Sequence, residues 1–388
     1  MTHDPLLIFL VAGEPSGDVL GGRLMAALQR ATGDNVRFIG VGGPEMQKQG
    51  LQSLFPMAEL SVMGIVEILP HARKLFARMR ETAAAIDTAK PDAVVTIDAP
   101  AFAHGVAKRI KLQRISRIHY VAPQLWAWRP WRVYKFRRHF HHLLALLPFE
   151  PEWFARYDMD CRFVGHPVVE SEVDQADGGR FREKHGIAPD KPTICVLPGS
   201  RRGEVARLAE PFIETLERLV ERYPGLTAVV PTVPNVAGTV KEKFGDLPLH
   251  TVVIEDPNEK YSAMAACNVG LAASGTVTLE LSMARVPYIV AYKLSTVTYW
   301  LASLLVRTPY ANLINLTLNK EVVPECIQRE CEPEILFEKI CGLLDGAGAA
   351  QVEEMRPALE ALGLGGPPPS ERAAAAVLDI AGAMSVKG

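Results

Sequence analysis

Two segments gather the residue types that acid–base chemistry needs. The stretch Ala12-Gly13-Glu14-Pro15-Ser16-Gly17-Asp18 follows an apolar run over residues 6–12 and offers two carboxylates, Glu14 and Asp18, with the Ser16 hydroxyl and Gly17 between them. Asp98 ends a second apolar run, 93–97, and is followed by Ala99-Pro100. A carboxylate at the carboxyl end of a strand can act as a general base. An Asp ahead of a helix is also a common N-cap, so both readings are open for Asp98.

Two further segments suit an anion. Pro198-Gly199-Ser200-Arg201-Arg202-Gly203-Glu204 lies between the apolar run 193–197 and a helical pattern. Its glycines let backbone N–H groups approach a phosphate, the helix start adds partial positive charge, and Arg201 and Arg202 can engage a diphosphate. The plainer reading is a tight turn with solvated arginines. Ala273-Ser274-Gly275-Thr276-Val277-Thr278-Leu279-Glu280 repeats the arrangement after the run 269–272. Glu280 there can accept hydrogen bonds from ribose hydroxyls or stand as an ordinary surface glutamate. Two such loops in one half of the chain argue for a nucleotide, although neither has the Gly-x-x-x-x-Gly-Lys of a Walker loop.

Other patterns are set aside. Gly40-Val41-Gly42-Gly43-Pro44 lacks the third glycine of a dinucleotide fingerprint, because Glu45 stands in its place. Asp158-Met159-Asp160 has the form of a metal-binding pair but reads as chance, and His139, His141 and His142 have no matching ligand set nearby. No metal and no cofactor are expected. The six cysteines are scattered without a Cys-x-x-Cys pair and read as reduced thiols.

Positioning these residues falls to short apolar runs that alternate with helical patterns. Runs at 6–12, 36–41, 93–97, 118–121 and 143–147 form one series, and 193–197, 227–230, 251–254, 269–272 and 288–291 form another. Continuous rather than alternating apolar character is what a parallel sheet covered on both faces requires. The linker-like Gly165-His166-Pro167-Val168 separates the series. The expectation is an α/β chain of two Rossmann-like domains, 1–167 and 168–349, facing across a cleft lined by strand ends, with C-terminal helices over 350–388.

Of 388 residues, 48% are hydrophobic and 22% charged, as in a globular protein rather than a disordered one. The best apolar stretch, 294–306, falls short of the roughly 18 to 20 residues needed to cross a bilayer. The run at 6–12 has no basic residue before it and so lacks a signal-peptide layout. The formal charge of −2 conceals an asymmetry, because residues 99–149 hold ten Lys and Arg and no Asp or Glu. Such a block suits phosphates, nucleic acid or an anionic membrane surface. It also contains Trp126, Trp128 and Trp131. Upstream, Ile65, Val66, Ile68 and Leu69 precede Arg73 and Lys74, which resembles an interfacial membrane-binding element and also suits a core helix.

Taken together, residues 12–18, Ile97-Asp98-Ala99-Pro100, Tyr120 through Arg129, Val164-Gly165-His166-Pro167, Leu197-Pro198-Gly199-Ser200-Arg201 and Ala273-Ser274-Gly275-Thr276 resemble the lipid-A-disaccharide synthase family, inverting glycosyltransferases of the GT-B fold. The resemblance spans nearly the whole chain. It implies condensation of UDP-2,3-diacylglucosamine with 2,3-diacylglucosamine 1-phosphate to the β-1,6 tetraacyldisaccharide 1-phosphate and UDP. Asp98 would be the base and Arg201 would hold the diphosphate without a metal. Glu14, Ser16, Gly17 and Asp18 would form the acceptor-side loop. UDP would meet Gly199, Ser200, Arg201, Arg202, Glu204, Ser274, Gly275, Thr276, Glu280, Asn315 and Gln328. The sequence departs from the family where Leu-Pro-Asn-Leu is expected and reads Leu313-Ile314-Asn315-Leu316. A cytoplasmic enzyme resting on the inner membrane follows, with no nucleic-acid partner and with a homo-oligomer left open. The alternatives are another UDP-sugar enzyme on this fold, such as a UDP-N-acetylglucosamine 2-epimerase, and a nucleic-acid-binding protein that uses the tryptophans and arginines.

Overall fold

Apolar runs of five to seven residues with β-branched side chains become parallel strands here, and the helices between them cover both faces. The computed structural model describes residues 5–60, 65–294, 306 and 308–385, with side chains except those of 65–72 and 383–385. Residues 1–167 with 365–388 make one compact unit, and 168–364 make the other.

The first unit contains β1 (Leu6–Ala12), α1 (Pro15–Thr32), β2 (Val36–Val41), α2 (Pro44–Lys48), α3 (Ile65–Ala89), β3 (Ala93–Ile97), α4 (Pro100–Ala107), β4 (Ser116–Tyr120), α5 (Val133–Phe136), β5 (His142–Ala145), α6 (Glu150–Ala155) and β6 (Asp160–Phe163). Its sheet is parallel with strand order β2-β1-β3-β4-β5-β6. Side chains alternate across the sheet. Ile8 and Leu10 pack with Leu24 and Leu28 of α1 and with Ala373, Val377 and Ile380 of the last helix, Pro369–Ser385. Phe9 and Val11 face Met79 and Ile86 of α3 and Phe102 and Val106 of α4. The helices of 350–388, grouped in the sequence reading, therefore divide: Gly348–Ala361 lies within the second unit and the last helix within the first. The apolar stripe of the last helix fits the open face of β1, and Arg162 to Asp379 (2.6 Å) and Arg30 to Glu371 (3.5 Å) flank it.

The second unit has β7 (Thr193–Leu197), α8 (Arg202–Arg222), β8 (Thr227–Pro231), α9 (Ala237–Phe244), β9 (His250–Ile254), α10 (Lys260–Ala265), β10 (Val269–Ala273), α11 (Val277–Met283), β11 (Tyr288–Tyr292) and β12 (Glu325–Ile327), preceded by α7 (Gly178–Lys184). Strand order is β12-β11-β10-β7-β8-β9, again all parallel. The sequence reading did not include β12, whose three residues are too few for a pattern. β4 stops at Tyr120 rather than 121 because Val121 turns into the left-handed region, φ +75°. All six cysteines are free thiols.

The edge of the first unit around β4 and β5 buries titratable groups. His119 is fully buried against Phe136 and Phe140, its Nδ1 2.7 Å from Thr96 Oγ1. Burial, with His104 nearby, pulls its pKa down to about 3. Burial and adjacent cations also bring His104 to about 4, burial and Arg117 bring His141 to about 4, and burial and cations lower His139. Below 6.5 the unfolded chain binds protons that these folded imidazoles refuse, so their stability is fully present above 6.5 and is lost as pH falls. Glu150 runs the other way. Its buried carboxyl is pushed from 4.5 up to about 7 by desolvation, so its contribution fades as pH rises across that window. Four imidazoles outweigh one carboxyl. The urea midpoint, followed by fluorescence of Trp126, Trp128, Trp131 and Trp153 in the first unit, is expected to be lower at pH 5 than at pH 7, with the difference reduced in His119→Gln. A midpoint that does not change with pH would show that these groups titrate alike in both states.

Candidate active site

In each sheet the chain reverses its order at one place, and the polar loops emerge there. In the first unit Ala12 of β1 pairs with Ile97 of β3, so the loops after them leave side by side. In the second, Leu197 of β7 pairs with Ala272 of β10. Open α/β sheets bind ligands at such switch points.

At the first, Asp98 and Ala99 both adopt left-handed φ, +52° and +43°, a conformation that costs a non-glycine residue about 1 kcal/mol or more. The Asp98 amide donates to Tyr120 O (3.0 Å), and its half-buried carboxylate accepts from Ala99 N (2.9 Å) and Ser16 Oγ (3.1 Å). Ser16 can reach because the chain is close-packed at Gly13, where a Cβ would lie 2.8 Å from Ala99 Cβ. Pro15 at the first helical position of α1 then turns the chain away, leaving Glu14 and Ser16 exposed. Asp98 does not cap α4, whose preceding residue is Ala99 and has no side-chain cap.

Asp18, expected in the acceptor-side loop, is a correction. Its carboxylate is buried and accepts from Gly43 N (2.8 Å), Met46 N (3.0 Å) and Glu45 N (2.9 Å). One turn into α1, it faces the start of α2 and satisfies amides that have no partner within that helix.

At the second switch point, Gly199 takes φ +110°, and a Cβ there would lie 2.8 Å from Glu204. Glu204, in the first turn of α8, accepts from Arg201 Nη1 (2.9 Å), while the Arg201 side chain stays 72% exposed. Arg202 is exposed, and Ser200 O accepts from Asn235 Nδ2 (2.7 Å). Ser274 Oγ donates to Ala311 O (3.1 Å), Gly275 and Thr276 are exposed, and Glu280 pairs with Lys260 Nζ (2.5 Å). No sequence pattern pointed to Asn235, in the loop before α9, or to Lys260, the first residue of α10.

Asn315 is the second correction. It is fully buried; its Nδ2 donates to Val323 O (2.7 Å) and Glu325 Oε1 (2.9 Å), and its Oδ1 accepts from Val322 N (2.8 Å) and Val323 N (2.9 Å). That fills the capacity of a side-chain amide and leaves none for a nucleotide. Gln328, at φ +56°, accepts from Leu294 N and donates to Leu294 O at 3.4 Å, which leaves one N–H and one acceptor site of its amide open. Where a proline was expected, Ile314 N donates to Asn312 Oδ1 (2.8 Å), and Asn312 caps the helix Leu313–Leu318.

Ile65, Val66, Ile68 and Leu69 belong to α3, but their side chains lie outside those described, as do residues 62–64 altogether. Arg73 is exposed. Lys74 is 54% exposed and pairs with Glu59 (3.3 Å), which also holds Arg78 (2.7 Å). Among the described residues no helix can cross a membrane, and no three His, Cys, Asp or Glu side chains are gathered for a metal. Asp158 pairs with Arg137, and Asp160 shares a hydrogen bond with His142, so the two carboxylates of that motif have separate partners.

A family model described as lipid-A-disaccharide synthetase matches residues 8–365. The lipid-A-disaccharide synthase of Rhodospirillum centenum is 50% identical over 97% of this chain and 95% of its own length. That of Paramagnetospirillum magneticum is 47% identical over 96% and 97%. The chain belongs to the lipid-A-disaccharide synthase family. It is a glycosyltransferase of lipid A biosynthesis. Solved structures share the fold at low identity: a UDP-GlcNAc 2-epimerase from Neisseria meningitidis (TM-score 0.65, 12% identity, 99% of this chain and 100% of that one) and MurG from Acinetobacter baumannii (0.59, 16%, 97% and 100%). The fold is GT-B. For a member of the lipid-A-disaccharide synthase family, a buried Asp18 implies a scaffold role. Asp18→Ala leaves three amides without an acceptor and is expected to cost about 3 kcal/mol of first-unit stability in urea unfolding, with Asp18→Asn intermediate. Full stability in both variants would mean that water replaces the carboxylate.

Proposed function

We propose that the loops at the first switch point receive the 2,3-diacylglucosamine 1-phosphate acceptor and those at the second receive UDP-2,3-diacylglucosamine. The observation that carries this reading is the pairing of each polar loop with its unit's switch point: Asp98 with Ser16 in one, and Arg201 with the Ser274 loop in the other. Asp98 takes the proton from the acceptor 6-hydroxyl. The oxygen attacks the donor's anomeric carbon from the face opposite the diphosphate, and that C–O bond breaks with inversion. The electron pair passes to the leaving UDP, where Arg201, Arg202 and the amides of Gly199 and Ser200 neutralise it. Ser16 and the Ala99 amide hold the Asp98 carboxylate in one orientation, and Glu204 holds Arg201 across Gly199. Ser274, Gly275 and Thr276 add a second cradle, with Glu280 for the ribose. Glu14 borders the acceptor loop.

The acceptor carries acyl chains and resides in a bilayer, which supports a peripheral contact with the inner membrane through the α3 segment containing Ile65, Val66, Ile68 and Leu69, with Arg73 beside it. A 2-epimerase would have no use for an apolar segment followed by basic residues.

Asp98→Asn is expected to abolish turnover while UDP affinity in calorimetry stays close to wild type. Turnover within about tenfold of wild type, roughly 1.4 kcal/mol of barrier, would remove Asp98 as the base. Arg201→Ala should weaken UDP binding and turnover together. Wild-type turnover is expected to survive exhaustive chelation.

Replacing Ile65, Val66, Ile68 and Leu69 by Ser should weaken co-sedimentation with vesicles and leave UDP affinity unchanged. Equal sedimentation of the two proteins would place those side chains away from the membrane.

A further inference from the structure

Two basic grooves flank the end of α4. One, of about 370 Å³, is lined by Lys108, Trp131, Tyr134, Lys135, Arg138 and His139. The other, of about 490 Å³, is lined by Arg73, Phe76, Arg80 and Arg109. Lys108 and Arg109, one from each groove, are consecutive and directly follow α4. Trp131 and Tyr134 are each 56% exposed and Phe76 49%, large rings that a folded protein would otherwise cover. Among the described residues Lys108, Lys135 and Arg138 have no ion-pair partner, unlike Lys74, Arg78 and Arg137 nearby. Their field reaches His139, whose pKa is lowered first by burial and then by Arg117, Lys108, Lys135 and Arg138.

We infer that the groove of Lys108, Trp131, Tyr134, Lys135 and Arg138 seats the phosphates of anionic phospholipids, with the two rings entering the headgroup layer. This is a second membrane contact besides the apolar segment of α3, and it rests on the peripheral-membrane reading above. Charge complementarity favours that occupant, because three cations without an ion-pair partner among the described residues line one groove and none of its lining residues is acidic. Amphipathic rings suit the headgroup level of a bilayer, and cations near its surface add attraction that falls off over a Debye length. Single-stranded nucleic acid fits less well. Successive bases need a run of open rings, yet beside His139 this groove has only Trp131 and Tyr134, and Tyr134 meets Tyr157 edge-on at 5.7 Å.

The test is co-sedimentation of the full chain with phosphatidylcholine vesicles, with and without phosphatidylglycerol, at low and high salt. Three multiple variants are compared with wild type: Lys108→Gln/Lys135→Gln/Arg138→Gln, Trp131→Ala/Tyr134→Ala, and a charge-matched control, Lys241→Gln/Arg285→Gln/Lys320→Gln, whose cations are ion-paired on the second unit. Wild type and control should bind phosphatidylglycerol vesicles alike. The groove variants should bind at least about tenfold more weakly at low salt, with thermal unfolding and UDP affinity unchanged. Groove variants that bind like wild type, or a control that falls equally, overturn the groove while leaving the peripheral reading intact. Wild type that binds no vesicle overturns both. Groove-dependent binding of poly-U with no groove-dependent vesicle binding would assign the surface to nucleic acid.

Discussion

Parallel strands whose following helices cover opposite faces cannot keep their loops together, and the position of every reactive group depends on this. β1 feeds α1 on the face shared with the last helix, whereas β3 feeds α4 on the face shared with α3. The loops between them part, and the hollow that results is where Asp98 and Ser16 meet. The second unit repeats the arrangement between β7 and β10 with unrelated residues. Backbone geometry chooses the place, and side chains choose the chemistry.

Holding such loops open takes buried polar braces. Asp18 ties α1 to the start of α2, and Asn315 ties its helix to residues 322–325. Tyr288, with its backbone held by Gln351 and its hydroxyl by Asn312 and Ser282, secures β11 behind that loop. Each brace is nearly saturated, which is the condition under which a buried polar group stabilises rather than destabilises. The helix Leu313–Leu318 shows how a brace absorbs a sequence change: a proline lacks the N–H that Ile314 gives to Asn312, yet the first turn of a helix tolerates either residue.

Much of this was legible in the sequence, for identifiable reasons. Parallel strands covered by helices are mostly apolar, so β1, β2, β3 and β7 could be bounded to the residue, even though the edge strand β2 carries an exposed Arg37. Glycine-rich strand ends marked both switch points. Side-chain direction was not legible. Asp18 and Ser16 stand two residues apart in one motif, but in the first turn of α1 they point apart, Ser16 to Asp98 and Asp18 to α2. Asn315 sits among motif residues because its loop must hold its shape, and polarity alone does not separate a brace from a ligand contact. The pairing of Lys74 with Glu59, fifteen positions upstream, was not legible either.

The return of the last helix to the first unit bears on how the chain is made. Residues 168–364 form a continuous unit that can close as soon as it leaves the ribosome. The first unit begins earlier and finishes later: Ile8 and Leu10 lack their cover from Ala373, Val377 and Ile380 until residue 380 has been synthesised. Through that interval one face of its sheet stays partly uncovered and prone to self-association. The unit that is translated first is therefore the one whose core closes last.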